Sequence, residues 1–298
     1  MARALEAATG AIYDIGYRSY EGARLGRGYA FRTLYVHSLR TAFGLGRGGR
    51  ALIAPWLLFG IMCFPATVTV AVAGLSGGQV NNLIPYHEYF AILSLILALF
   101  CAAQAPELVS TDQHNRVLPL YFSRALRTYD YAAAKLLAMW TAVFILVFTP
   151  LMIILAGRLG LPADFGAALR EESRYFGPLL ATPVVGAVVI GTIALALASL
   201  MSRRGIASAL VLGLFLLTAP VAIIMVQTMA GRPGDYAVLI NPILAANGAI
   251  MALFGEKGGR GDILLEANLP SGAYAAAVAA YAILFTLLLL HRYRRLSA

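Results

Sequence analysis

Glycine-rich runs can hold phosphate against their backbone amides, and GLGRGGR at residues 44–50 is the first stretch whose spacing invites that chemistry. A phosphate-binding loop of the P-loop kind needs GxxxxGK followed by Ser or Thr, after a strand. Neither feature is present, so these residues encode no nucleotide-hydrolysing site, and any use of ATP has to come from another chain. Metal chemistry needs clustered ligands. Here His37, His87, His114 and His291 are scattered, and the eight methionines form no group with them, so no metal site is expected. Cys63 and Cys101 both lie in apolar segments, where a buried thiol is the usual case and a disulfide framework is not expected. No paired carboxylates and no Ser/His pair stand inside the apolar blocks, which leaves an intramembrane enzyme without its reacting groups. The expectation is a protein that performs no bond chemistry and holds no cofactor of its own.

The chain that carries these residues has 298 positions, 60% of them hydrophobic and only 12% charged. Its mean hydropathy is +0.77. The apolar residues come in blocks of bilayer length, so the reading is one all-α integral membrane domain. Six blocks qualify as spans: residues 51–74, 89–105, 131–156, 175–200, 206–229 and 273–290. Their centres lack Asp, Glu, Lys and Arg, each of which costs about 2.5–3.5 kcal/mol there on insertion scales. Lys135 lies near a span end and is expected to snorkel to the interface.

A net charge of +9 would suggest nucleic acid in a soluble protein, but the charges here are sorted by loop, and no nucleic-acid partner is expected. One alternating set of flanks, including Arg116, Arg124, Arg127 and Lys135, holds 17 basic and six acidic residues; the other holds six basic and eight acidic. By the positive-inside rule both termini are cytoplasmic, and six crossings is the self-consistent count. Residues 1–50 show no cleavable signal pattern.

Three segments outside the spans carry pattern. In residues 28–50, Phe31, Leu34, Tyr35, Leu39 and Ala42 share a helical face, opposite Thr33, His37 and Arg40. That is either a basic amphipathic helix lying on the membrane or a disordered basic arm, with Gly44 to Gly49 allowing a sharp turn into the first span. Between spans two and three, Ser110, Thr111 and Asp112 are good N-cap types for a short surface helix. Pro119 should interrupt it, and Thr128 is expected to cap the next helix. Leu118, Leu120, Tyr121 and Phe122 with Arg124 and Arg127 suit a partner's groove; an ordinary positive-inside loop is the alternative. The stretch from Asn241 to Gly255 is too short to cross and predicts a re-entrant or interfacial helical hairpin, serving as a lid or as simple packing.

Together these features resemble the membrane subunits of ABC-2 type transporters, a family of permeases, over nearly the whole chain. RVLPLYFSRALRTYDYAAAKLL, residues 116–137, is the most specific local match. It departs from the family pattern at Ala125, where Pro is frequent, and at Asp112, where Glu is common. Residues 13–27 also look like actinobacterial members. The resemblance implies an elbow helix (Phe31, Leu34, Tyr35, Leu39) and a cytoplasmic coupling helix. Asp112, Arg116, Leu118, Leu120, Tyr121, Ser123, Arg124 and Arg127 would serve ATPase coupling, with Tyr131 and Lys135 completing the motif. It further implies two paired permease subunits, the same or homologous, in membrane lipid. Separate ATPase subunits would hold ATP and Mg, and the assembly would export an apolar or amphipathic compound from the cell. Phe59, Met62, Phe64, Phe215 and Met225 are the expected walls of the substrate path. A secondary transporter or channel working without an ATPase is the alternative, although no internal repeat is visible.

Overall fold

In the computed structural model the apolar blocks become helices, and no strand occurs among the described residues, which are 22, 25–46, 48–77, 83–122, 126–229, 231–256 and 262–296. The order is α1 (Arg27–Ala42), α2 (Arg50–Leu75), α3 (Tyr86–His114), α4 (Leu118–Phe122), α5 (Thr128–Gly160) and α6 (Phe165–Glu172). It continues with α7 (Phe176–Gly186), α8 (Thr192–Leu200), α9 (Arg204–Thr228), α10 (Arg232–Ala237), α11 (Pro242–Phe254), α12 (Ile263–Glu266) and α13 (Ser271–Leu296). Six segments are long and apolar enough to cross a membrane: α2, α3, α5, the α6–α8 composite, α9 and α13. This is an all-α, multi-pass membrane protein.

The fourth segment begins at Phe165, well before the expected start, because Asp164 caps α6 by accepting a hydrogen bond from the Ala167 amide at 3.0 Å. One turn, Ala187–Gly191, is π-helical. The composite is the most buried span, with 72% of its central window covered, against 11–17% for α2, α9 and α13. Its small residues explain this: Ala194, Ala196 and Ala198, with Gly186 and Gly191, let α3, α5, α9 and α13 pack close around it. In α2, α9 and α13 much of the apolar surface stays outward, including Phe64, Leu217 and Leu284. Apolar surface facing outward suits lipid.

Helix α1 ends at Ala42, before the glycines expected to turn the chain, and its face is the expected one. Leu34 and Ala42 are buried; Phe31, Tyr35 and Leu39 are half-buried against α5 and α3, while Thr33, His37 and Arg40 are exposed. The chain then turns at Gly44, whose φ is +72°. A Cβ there would sit 2.2 Å from the Ala51 carbonyl oxygen, so both the dihedral and the space require glycine.

The stretch from Asn241 to Gly255 is not by itself the hairpin expected from the sequence: Pro242–Phe254 is one helix, α11, and the hairpin is made with the segment before it. Residues 232–240 and 242–254 meet at an angle of 104°, too sharp for a single straight crossing. Local chemistry sets its limits: Asn241 Oδ1 accepts from the Leu244 amide at 2.9 Å, Pro242 occupies the first helical position, and Gly255 closes α11 in the left-handed region.

The segment between spans two and three differs from expectation. Ser110, Thr111 and Asp112 do not open a new helix; they lie in the last turns of α3, which runs to His114. Ser110 Oγ donates instead to the Ala198 carbonyl at 3.0 Å and Gln113 Nε2 to the Ser199 carbonyl at 2.8 Å, satisfying the free carbonyls where α8 ends. Pro119 does not interrupt a helix but sits in the first turn of α4, where its missing N–H is harmless. Arg127, not Thr128, precedes α5, and its backbone N–H donates to Asp130 Oδ2 at 2.9 Å.

Candidate functional site

At the α4 end of the bundle, Tyr131 and Lys135 are four residues apart on α5 and so project from one face. That face meets the end of α3. Lys135 Nζ lies 2.8 Å from Asp112 Oδ2, and Tyr131 donates its hydroxyl to the same oxygen at 2.7 Å. The Lys135 side chain is 4% exposed and that of Asp112 17%. Lys135 therefore does not snorkel to the interface: an anionic partner inside the bundle holds it there. Aromatic rings complete the cluster around Tyr131, with centroids at 5.0 Å for Tyr293 on α13, 5.5 Å for Tyr121 and 6.0 Å for Phe122 on α4. One buried tyrosine thus joins α3, α4, α5 and α13.

Two further links tie neighbouring elements in. Arg27, opening α1, donates to both carboxylate oxygens of Asp130, at 2.8 and 2.6 Å, and to the Tyr129 hydroxyl at 2.8 Å. The hydrogen bond to Asp130, then that to Tyr129, raise the Arg27 pKa above its already high ordinary value. Arg204 at the start of α9 pairs with Glu107 of α3 at 2.7 Å. Burial pushes the Tyr121 phenol up, and the Asp112 charge adds to the effect.

The residues expected to couple to a partner divide into three groups. Asp112 and Leu118 turn inward, Leu118 being only 6% exposed, and are part of the bundle rather than of an outer contact surface. Tyr121 is half-buried, whereas Leu120, at 67%, and Arg116 and Arg127 are exposed. Arg116 takes a left-handed backbone, with φ of +54°, in the turn between α3 and α4. Ser123 and Arg124 lie outside the described residues, as do most of residues 13–27. Between α1 and α4 a groove of about 530 Å³ is lined by Tyr29, Leu34, His37, Tyr121 and Leu126.

The expected substrate-path residues do not converge. Phe215 lines a cavity between α3, α9, α11 and α12; Met62 borders a separate void of about 10 Å³; Phe59 packs 5.9 Å from Trp56; Phe64 is exposed and Met225 half-buried. The physical reason is helical rotation. Apolar residues on a span give no sequence signal for which of them face a neighbour and which face lipid.

The opposite end of the bundle holds polar contacts with no pattern in the sequence to announce them. Tyr86 donates its hydroxyl to Glu172 Oε2 at 2.8 Å, Arg158 lies 3.5 Å from Glu172 Oε1, and the Arg158 guanidinium stands 4.7 Å from the Tyr86 ring centroid. Asn241, besides capping α11, donates through Nδ2 to the Phe215 carbonyl at 2.9 Å and to Thr218 Oγ1 at 2.8 Å, clamping the hairpin to α9 near Pro220. Two cavities flank the hairpin, of about 500 and 380 Å³, and both are bordered by Met251 and Leu264. Among the described residues no three His, Cys, Asp or Glu side chains are grouped so as to hold a metal ion.

No protein-family model matches the chain, and no curated protein matches it in sequence.

Proposed function

We propose that the chain is the membrane-spanning permease subunit of an ATP-driven exporter for an apolar or amphipathic compound, worked from the cytoplasmic side by separate ATPase subunits. The observation that carries this reading is mechanical. The short α4 and the turn before it present Leu120 and Arg116 outward, while Leu118 is buried and Tyr121 and Phe122 pack against the Tyr131 ring. A displacement applied to α4 is therefore delivered to α3, α5 and α13 together, because a close-packed cluster transmits strain rather than absorbing it. The resemblance of residues 116–137 to the coupling segment of ABC-2 permeases points the same way. So does the absence of a P-loop from these 298 residues, since a transducer without an engine needs a partner that has one. The basic flanks support an α4 end on the cytoplasmic side of the cell membrane, and a second permease subunit would complete the pathway.

The test is co-purification with a candidate ATPase. Leu120→Asp combined with Arg116→Glu should abolish association while leaving membrane insertion and thermal stability unchanged, because both side chains are exposed. Association that survives the pair rejects α4 as the docking surface. A second reading, nucleotide-independent transport, is favoured by the buried Lys135–Asp112 pair, since ionisable groups inside spans often mark ion pathways. Flux through the purified chain in liposomes without nucleotide would select it.

A further inference from the structure

We infer that the 380 Å³ cavity between α3, α9, α11 and α12 is a binding site for an amphipathic cation; this deepens the exporter reading by naming its substrate class. The volume falls in the range of small-molecule sites, roughly 300–1,000 Å³. Leu95, Phe215, Leu244 and Leu264 supply apolar walls. The charges lining it are acidic: Glu88 on α3 and Asp262 at the start of α12, with no Lys or Arg among the described lining residues. His87 also borders it, 3.8 Å from Glu88.

The independent sign of a ligand is Asn247. Its residue is 7% exposed, it lines the same cavity from α11, and its Oδ1 has no hydrogen-bond partner. A buried acceptor left unmade is costly, and such atoms cluster where something else completes them. An acceptor and two carboxylates around an apolar chamber ask for a group that donates or is positive at one end and is apolar elsewhere. An anion would meet the two acidic groups and, among the described lining residues, no Lys or Arg. An alkylammonium or a delocalised organic cation satisfies the set.

The probe is tritiated tetraphenylphosphonium, bound to the purified chain in phosphatidylcholine nanodiscs, with empty discs as background and tetraphenylborate as the anion of the same shape. Saturable binding is expected, displaced by dodecyltrimethylammonium and not by tetraphenylborate. Dodecylammonium, whose N–H groups can bond Asn247 Oδ1, should compete about tenfold more weakly in Asn247→Leu, the size of one lost hydrogen bond to a charged group, with thermal stability equal or higher because an unmade acceptor is removed. Glu88→Gln with Asp262→Asn should weaken tetraphenylphosphonium binding by a similar factor, and Asn at 262 still caps α12. Equal competition by tetraphenylborate, unaltered affinities in both variants, or no saturable binding above empty discs would each overturn the assignment. No nucleotide or ATPase enters the assay, so its outcome is separate from that of the co-purification test.

Discussion

Lys135 and Asp112 form an ion pair whose energetics can be worked from its surroundings. Removing one member of a buried pair costs about 3–5 kcal/mol, because the other charge is left in a low-dielectric site, whereas an exposed pair is worth about 0–1 kcal/mol. The Lys135 side chain is 4% exposed and its other close neighbour is the Tyr131 ring, 5.3 Å away, so Asp112→Asn should fall in the upper range. In Lys135→Met the carboxylate keeps the Tyr131 hydroxyl at 2.7 Å and some access to water, with 17% of its side chain exposed, which lowers the expected cost to about 2–3 kcal/mol. The double variant leaves no unpaired charge and should lie within about 1 kcal/mol of the parent, giving a coupling energy of at least about 2 kcal/mol. Reversible unfolding in mixed detergent micelles, followed by Trp140 fluorescence on α5, measures all three. Single variants that each cost under about 1 kcal/mol, or a double variant equal to their sum, would refute the buried pair as the link between α3 and α5.

The other expectations follow from local geometry. Gly44→Ala should destabilise the chain by at least about 1–2 kcal/mol, the cost of a left-handed backbone for a residue with a Cβ, before the approach to the Ala51 carbonyl is added; thermal unfolding reads it. Leu118→Asp should lower stability by more than about 2 kcal/mol, since it buries a carboxylate among apolar neighbours, while Leu120→Asp should change it by less than about 0.5 kcal/mol; the same melts compare them. Tyr121 has its phenol pKa raised by folding, so its contribution to stability is complete below the unfolded value of about 10 and is lost as pH rises through the higher folded value. Unfolding measured from pH 8 to 12 should therefore fall less steeply at its alkaline end in Tyr121→Phe than in the parent.

Much of this architecture could be read residue by residue. A helix that crosses a bilayer needs about 20 apolar residues in succession, and the six blocks that meet this requirement are the six long helices. Capping is local as well: Asn241, Pro242 and Gly255 mark both ends of α11 because a cap bonds only to amides or carbonyls within a turn. The inward face of α1 followed from the 3.6-residue period. The segment after α3 was read less well. Ser110, Thr111 and Asp112 have side chains equally able to cap a helix or to reach another one, and the free carbonyls of α8 decide between these.

What the sequence determined by itself is the all-helical membrane class, the number of long helices, the bounds of α11 and the lack of a P-loop, because each depends on composition or spacing within one stretch of chain. What only the tertiary structure decided is which side chains meet. Lys135 has Asp112 as its partner instead of the interface, Leu118 is covered while Leu120 is not, and Asn247, Glu88 and Asp262 border one cavity although they lie on three different elements. These outcomes depend on how each helix is rotated about its axis and seated against the next. Hydropathy is nearly uniform around a membrane span, so that rotation is set by packing shape and polar pairing between distant segments.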